Sequence, residues 1–157
     1  VLWLGRVERV LVIAAEKLSG VAMAEPVETG TAMLFGDGAG AALLARGGGK
    51  ARIVDFHLAS DGAAAADLRL EHSGPIHMNG RVVILHAARK VPAAIETLLA
   101  KHGLTPGQIP TFLMHQANAN LLAKIAQTLG VEPARFFANI ARYGNTSAAS
   151  LLIAAEE

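Results

Sequence analysis

The chain has 157 residues, of which 52% are hydrophobic and only 17% charged, with a formal net charge of +1 and no cysteine. That length holds one core or part of a larger fold, and the lack of cysteine excludes disulfides, thiolate metal sites and a cysteine nucleophile within it. No basic patch addresses nucleic acid, no basic amphipathic stretch addresses a membrane, and no signal peptide or membrane-length apolar run is present, so a cytoplasmic protein without either partner is expected.

Aromatic residues supply 4%, so the interior is built from Ala, Val, Leu and Ile. The apolar, β-branched run at 10–15 predicts a buried strand. Residues 19–30 carry Gly, Pro, Ser and Thr without period and read as a loop. A second apolar run at 31–35 is interrupted by Gly36-Asp37-Gly38-Ala39-Gly40 and resumes at 41–45, before the turn at Gly47-Gly48-Gly49. The partial alternation at 51–60 predicts another strand, whereas 61–78 has no clean period. From 80 to 102 the apolar positions Ile84, Ala88, Val91, Ile95 and Leu98 recur at helical steps. Asn79 is the expected cap of that helix, Gly103 its stop, and Pro92 is expected to kink or divide it. Short strands are expected at 109–114 and 136–140, and helices at 118–129 and 146–157. Strands alternating with helices from Ile109 onward predict an α/β layered fold. Val1 is not Met and the last helix stops without a cap, so both ends read as cut.

Chemistry is expected where buried strands hand over to helices, because side chains there sit on rigid elements yet face a crevice. Met114-His115-Gln116-Ala117-Asn118 is one such junction and Tyr143-Gly144-Asn145-Thr146-Ser147-Ala148-Ala149-Ser150 another. A neutral histidine and an asparagine each offer an N–H donor, and two donors on one oxygen stabilise an enolate or alkoxide. Taken alone, His115 reads as a hydrogen-bonded core residue, and Asn145 as readily as a turn with helix capping. The glycines at 36–40 also fit a dinucleotide fingerprint, with Asp55 at ribose distance. That mechanism needs a helix starting at the glycines, and only residues 41–46 precede the triple glycine, so a glycine-interrupted strand or close backbone crossing is favoured. His72 and His77, near Asp67 and Glu71, are read as solvated loop residues rather than metal ligands, and no metal site is expected.

In the order Phe35-Gly36-Asp37-Gly38-Ala39-Gly40-Ala41, Met78-Asn79-Gly80, His115-Gln116-Ala117-Asn118 and Gly144-Asn145-Thr146-Ser147-Ala148-Ala149-Ser150, the chain resembles β-ketoacyl-acyl carrier protein synthase III. The likeness runs from about Val7 to the end. It implies a thiolase-like layered fold of two similar halves, each a mostly parallel sheet with helices. Residues 1–46 then correspond to the tail of the first half and 51–157 to most of the second. It implies catalytic roles for His115 and Asn145, substrate contacts from Gln116 and Asn118, and a cysteine nucleophile supplied upstream. No cofactor is implied beyond coenzyme A thioester and acyl carrier protein as substrates. The implied partners are acyl-coenzyme A, malonyl-acyl carrier protein and a second copy in a homodimer. The implied activity is decarboxylative Claisen condensation at the initiation of fatty-acid synthesis, absent from a chain without the cysteine. Asn120 stands where the family often has an arginine linked with carrier-protein docking. A secondary-metabolite acyltransferase of the same family, or a non-catalytic subunit or scaffold half, are the alternatives.

Overall fold

The computed structural model describes residues 5–70, 72 and 74–157. Strand β1 (Arg9–Glu16) pairs antiparallel with β2 (Gly38–Ala45), in register from Arg9 opposite Ala45 to Glu16 opposite Gly38. The strand expected at 10–15 is therefore formed, but it is not buried: Leu11 is 59% and Ile13 65% exposed. Side chains alternate across a ribbon, so one neighbouring layer covers one face only. Here that layer is helix α6 (Ala149–Glu156), which packs on both strands.

The segment expected to be a loop at 19–30 contains the single-turn helix α1 (Ser19–Ala22) and the start of α2 (Thr29–Ala32). Its entry is pinned from outside. The Ser19 backbone N–H and hydroxyl each donate to the Asp37 carboxylate at 2.7 Å, and these bonds lower the Asp37 pKa. Polar composition hid this clamp, because it joins positions eighteen residues apart.

The strand expected at 51–60 is not formed; the segment has no ladder partner among the described residues. Beyond a 3₁₀ turn (Gly62–Asp67), the short strands β3 (Leu68–Leu70) and β4 (Ile76–Met78) pair antiparallel. Helix α3 (Gly80–Ala100) follows, capped by Asn79, whose Oδ1 accepts from the Val82 N–H at 3.4 Å. It runs through Pro92 without dividing, so of the kink or division expected there, division does not occur. A mid-helix proline forfeits one backbone bond. Packing outweighs that loss, since Pro92 is buried and Ala87, Ala88, Val91 and Ile95 lie against the core.

Helix α4 (Ala119–Leu129) starts at Asn118, whose Oδ1 accepts from the Leu121 N–H at 3.1 Å, and ends at Gly130 with φ +65°. Leu121, Leu122, Ile125, Ala126 and Leu129 form its inner stripe and meet Phe112, Val131 and Phe136. The two phenylalanine rings stack with centroids 4.6 Å apart. The strands expected at 109–114 and 136–140 reduce to one parallel bridge between those phenylalanines. Helix α5 (Ile140–Tyr143) and a turn lead to α6, which starts three residues later than the expected 146. The whole is α/β, as expected, although parallel pairing among the described residues is confined to isolated bridges at Phe35–Asn145 and Phe112–Phe136. No helix of the described residues is long and apolar enough to cross a membrane.

Candidate active site

A cavity of about 480 Å³ opens between α3, α4 and the β3–β4 ribbon. Its walls are apolar, with Ile76, Val83, Ala87, Val91, Leu121 and Ile125 among them. Polar side chains are gathered where the two strand-to-helix junctions meet it, at His115, Asn118, Asn145 and Ser147. An apolar pocket with a few converging polar groups is the usual form of a small-molecule site.

His115 is open to the cavity on one side and held by protein on the other. Its Nδ1 lies 2.6 Å from the hydroxyl oxygen of Ser150, a residue only 2% exposed on the first turn of α6. Partial desolvation lowers the His115 pKa, and an interaction with the Ser147 backbone partly opposes this. Burial disfavours the charged ring.

Asn145 is fixed through its backbone and its side chain. Its N–H donates to the Leu34 carbonyl and its own carbonyl accepts from the Gly36 N–H, both at 3.0 Å. Gly144 precedes it with φ +70°, a conformation that favours glycine. The Asn145 Oδ1 accepts the Ser147 N–H at 2.9 Å, closing a side-chain turn. With its oxygen engaged, the amide presents Nδ2 as its donor. Ser147 adopts φ +50°, the one non-glycine residue with positive φ among those described. A conformation of this kind is held only where its surroundings over-determine it. Ser147 also links the two candidate residues, since its carbonyl accepts the Ser150 hydroxyl at 2.7 Å. Asn145, Ser147, Ser150 and His115 therefore form one hydrogen-bonded unit.

The expected site residues fall into two groups. His115, Asn118 and Asn145 line the cavity. Gln116 does not: it is 1% exposed, donates to the Met114 and Phe137 carbonyls at 2.9 and 3.1 Å, and accepts the Asn139 N–H at 3.0 Å. Its side chain turns into the protein interior, away from the cavity. It braces the junction from behind. Asn120 is exposed one position beyond the start of α4.

The glycine segment is a close crossing, as favoured above. A Cβ on Gly36 would collide with the Tyr143 carbonyl, and one on Gly40 would lie 2.6 Å from the Leu152 Cβ. Asp55 accepts from the Phe56 N–H at 2.7 Å and lies 3.0 Å from the His102 ring nitrogen. His77 lies 3.6 Å from Glu28, and Glu71 is outside the described residues. No cluster that could hold a metal ion is formed among the described residues. Sequence reasoning missed Ser147 and Ser150 as site residues. Both stood within the second junction motif, but no periodicity reveals which serine turns beneath a histidine thirty-five positions away.

Residues 2–62 match the family described as 3-oxoacyl-[acyl-carrier-protein] synthase III, and residues 99–157 match that family's C-terminal part. The beta-ketoacyl-[acyl-carrier-protein] synthase III of Rubrobacter xylanophilus is 36% identical over 151 residues, covering 94% of this chain and 47% of that protein. The crystal structure of the 3-oxoacyl-[acyl-carrier-protein] synthase III of Aquifex aeolicus superposes with a TM-score of 0.90 at 35% identity, covering 98% of this chain and 49% of that one. The priming beta-ketosynthase of a polyketide biosynthetic pathway is 29% identical with a TM-score of 0.78, covering 96% and 48%. The chain thus spans about half the length of the relatives it matches, over both parts of the family's sequence. Its thiolase-like fold and its two junction motifs place it in the 3-oxoacyl-[acyl-carrier-protein] synthase III family.

Proposed function

We propose that the intact protein carries out decarboxylative Claisen condensation of an acyl thioester with malonyl-acyl carrier protein, at the start of fatty-acid synthesis. The single observation that carries this reading is the hydrogen-bonded unit joining His115 to Asn145 at the edge of the apolar cavity. In this reading the malonyl thioester loses carbon dioxide, and the electron pair of the broken C–C bond becomes an enolate. The His115 Nε2 and the Asn145 Nδ2 face the enolate oxygen, the site of developing charge. Such donors act strongly because they are fixed in place before the charge appears. The enolate carbon then attacks the acyl thioester held by a cysteine, forming the new C–C bond and expelling the thiolate. No cysteine lies in the 157 residues, so the nucleophile is assigned to another part of the protein, and the chain alone is inactive in acyl transfer.

The same reading makes residues 1–46 the tail of the first half and 51–157 most of the second. Acyl-coenzyme A and malonyl-acyl carrier protein are substrates, no cofactor takes part, and the protein works in the cytoplasm as a homodimer. Asn118, at the cavity wall, is assigned a substrate contact.

The test is His115→Ala in the full-length protein, with malonyl decarboxylation and self-acylation measured separately. Decarboxylation is lost and self-acylation persists. Retention of decarboxylation sinks the assignment. A second reading, priming of a polyketide pathway, is favoured by the 29% likeness to a priming ketosynthase; product analysis with a panel of acyl-coenzyme A donors separates the two.

A further inference from the structure

We infer that Ser147 is a further substrate-binding residue, whose hydroxyl donates to the free carboxylate of a malonyl thioester. Every other residue of positive φ among those described is a glycine, including Gly144 in the same junction. Glycine adopts that region without the clash of Cβ against the following carbonyl oxygen that an L side chain suffers. The backbone at Ser147 has its own reason to turn. Its N–H donates to the Asn145 Oδ1 at 2.9 Å, and its carbonyl accepts the Ser150 hydroxyl at 2.7 Å. Glycine would make both bonds and avoid the strain, so the turn does not explain the side chain. Bonding within the protein does not explain it either, since the Ser147 hydroxyl takes no partner among the described residues. Ser147 lines the cavity with His115 and Asn145. Backbone strain of this kind collects at active sites and ligand clamps.

The choice of ligand rests on the function proposed above. There the His115 Nε2 and the Asn145 Nδ2 meet the thioester oxygen, and a carbonyl oxygen has two lone pairs to fill. Malonate carries a second polar group, a carboxylate one carbon away from that carbonyl. An anion entering an apolar cavity needs a donor of its own. Ser147, tied through its N–H to the Asn145 side chain, stands next to the amide that takes the thioester. Its hydroxyl is neutral. It orients the carboxylate without the extra stabilisation a cation would give, which would be lost as carbon dioxide leaves and would raise the barrier. The contact therefore belongs to the bound substrate and not to the enolate.

The experiment compares Ser147→Ala and Ser147→Gly with the parent as full-length proteins, measuring KM and kcat for decarboxylation of malonyl-acyl carrier protein and unfolding in urea. Both variants are expected to raise KM about tenfold, the loss of one hydrogen bond to a charged group, while kcat is held. Ser147→Gly is also expected to unfold at a urea concentration no lower than the parent, because it relieves the strain. A fall in kcat at constant KM would put the hydroxyl on the enolate oxygen and overturn the inference. A parental KM in Ser147→Ala overturns it too, as does a lower unfolding midpoint in both variants, which would make the hydroxyl a structural group. Decarboxylation lost in His115→Ala beside a parental KM in Ser147→Ala rejects this inference alone. A raised KM in Ser147→Ala beside decarboxylation that survives His115→Ala rejects the proposed function alone.

Discussion

The N–H of Gly36 donates to the carbonyl of Asn145 at 3.0 Å, tying the glycine segment directly to the residue that carries a candidate donor. The crossing is so close that a Cβ on Gly36 would strike the Tyr143 carbonyl, a backbone atom that cannot turn aside. The glycines are thus part of the mounting of the site.

This gives the first prediction. In the full-length protein, Gly36→Ala should lower stability by about 1–3 kcal/mol, the range for forcing an extra methyl into a filled space. It should also depress decarboxylation, because the Asn145 backbone moves with the displaced strand. Gly20→Ala is the control: nothing lies within 4 Å of its Cβ, so its urea midpoint should barely change. Equal midpoints for the two variants would remove the crossing as an explanation of the glycine motif.

A second prediction separates the two ends of the Asn145 amide. Asn145→Asp keeps an oxygen for the Ser147 N–H but replaces the Nδ2 donor with a negatively charged oxygen. Decarboxylation should fall by about 10²–10³ or more, the loss found when an oxyanion donor is removed. Self-acylation and the unfolding midpoint should remain close to those of the parent. A decarboxylation rate within a few-fold of the parent would mean that the Asn145 Nδ2 does not face the developing charge.

The pH dependence follows from His115. Its folded pKa lies below the ordinary 6.5 because partial burial disfavours the imidazolium. The unfolded chain therefore binds the proton more readily than the folded one. The stability associated with the neutral ring is fully present above about pH 6.5, and is lost as pH falls from there through the lower folded value. Urea unfolding of the full-length protein and of His115→Asn across pH 7 to 5 checks this. The difference in stability between them should shift against the parent on acidification, and a constant difference would contradict the direction of the shift.

Much of this arrangement was legible where its cause is local. Helices α3 and α4 announce themselves through apolar spacing, with Asn79 and Asn118 at their starts and Gly103 and Gly130 at their ends. The two junction motifs stand out because polar residues interrupt apolar runs there. What escaped depends on distant partners. The Ser19–Asp37 clamp organises a stretch that composition assigns to loop, and 51–60 has strand-like alternation but no ladder to join among the described residues. Pro92 was expected to kink or divide α3, and its neighbours pack on the core and keep the helix undivided. The resemblance implied a substrate contact for Gln116. Its amide turns inward instead, onto the Met114 and Phe137 carbonyls and the Asn139 N–H, partners that no local pattern reveals.

That reversal supplies the last prediction. The Gln116 amide holds the Met114 and Phe137 carbonyls and the Asn139 N–H, all from within the protein. Gln116→Ala strands these groups, and each buried polar group left unpaired costs about 1–3 kcal/mol. The variant should unfold at a clearly lower urea concentration. Its loss of activity should also be indiscriminate, lowering self-acylation and decarboxylation together as the His115 junction loosens. A substrate ligand behaves differently, raising KM while leaving the unfolding midpoint intact. Gln116→Ala with parental stability and a selective KM defect would return Gln116 to the substrate side of the site.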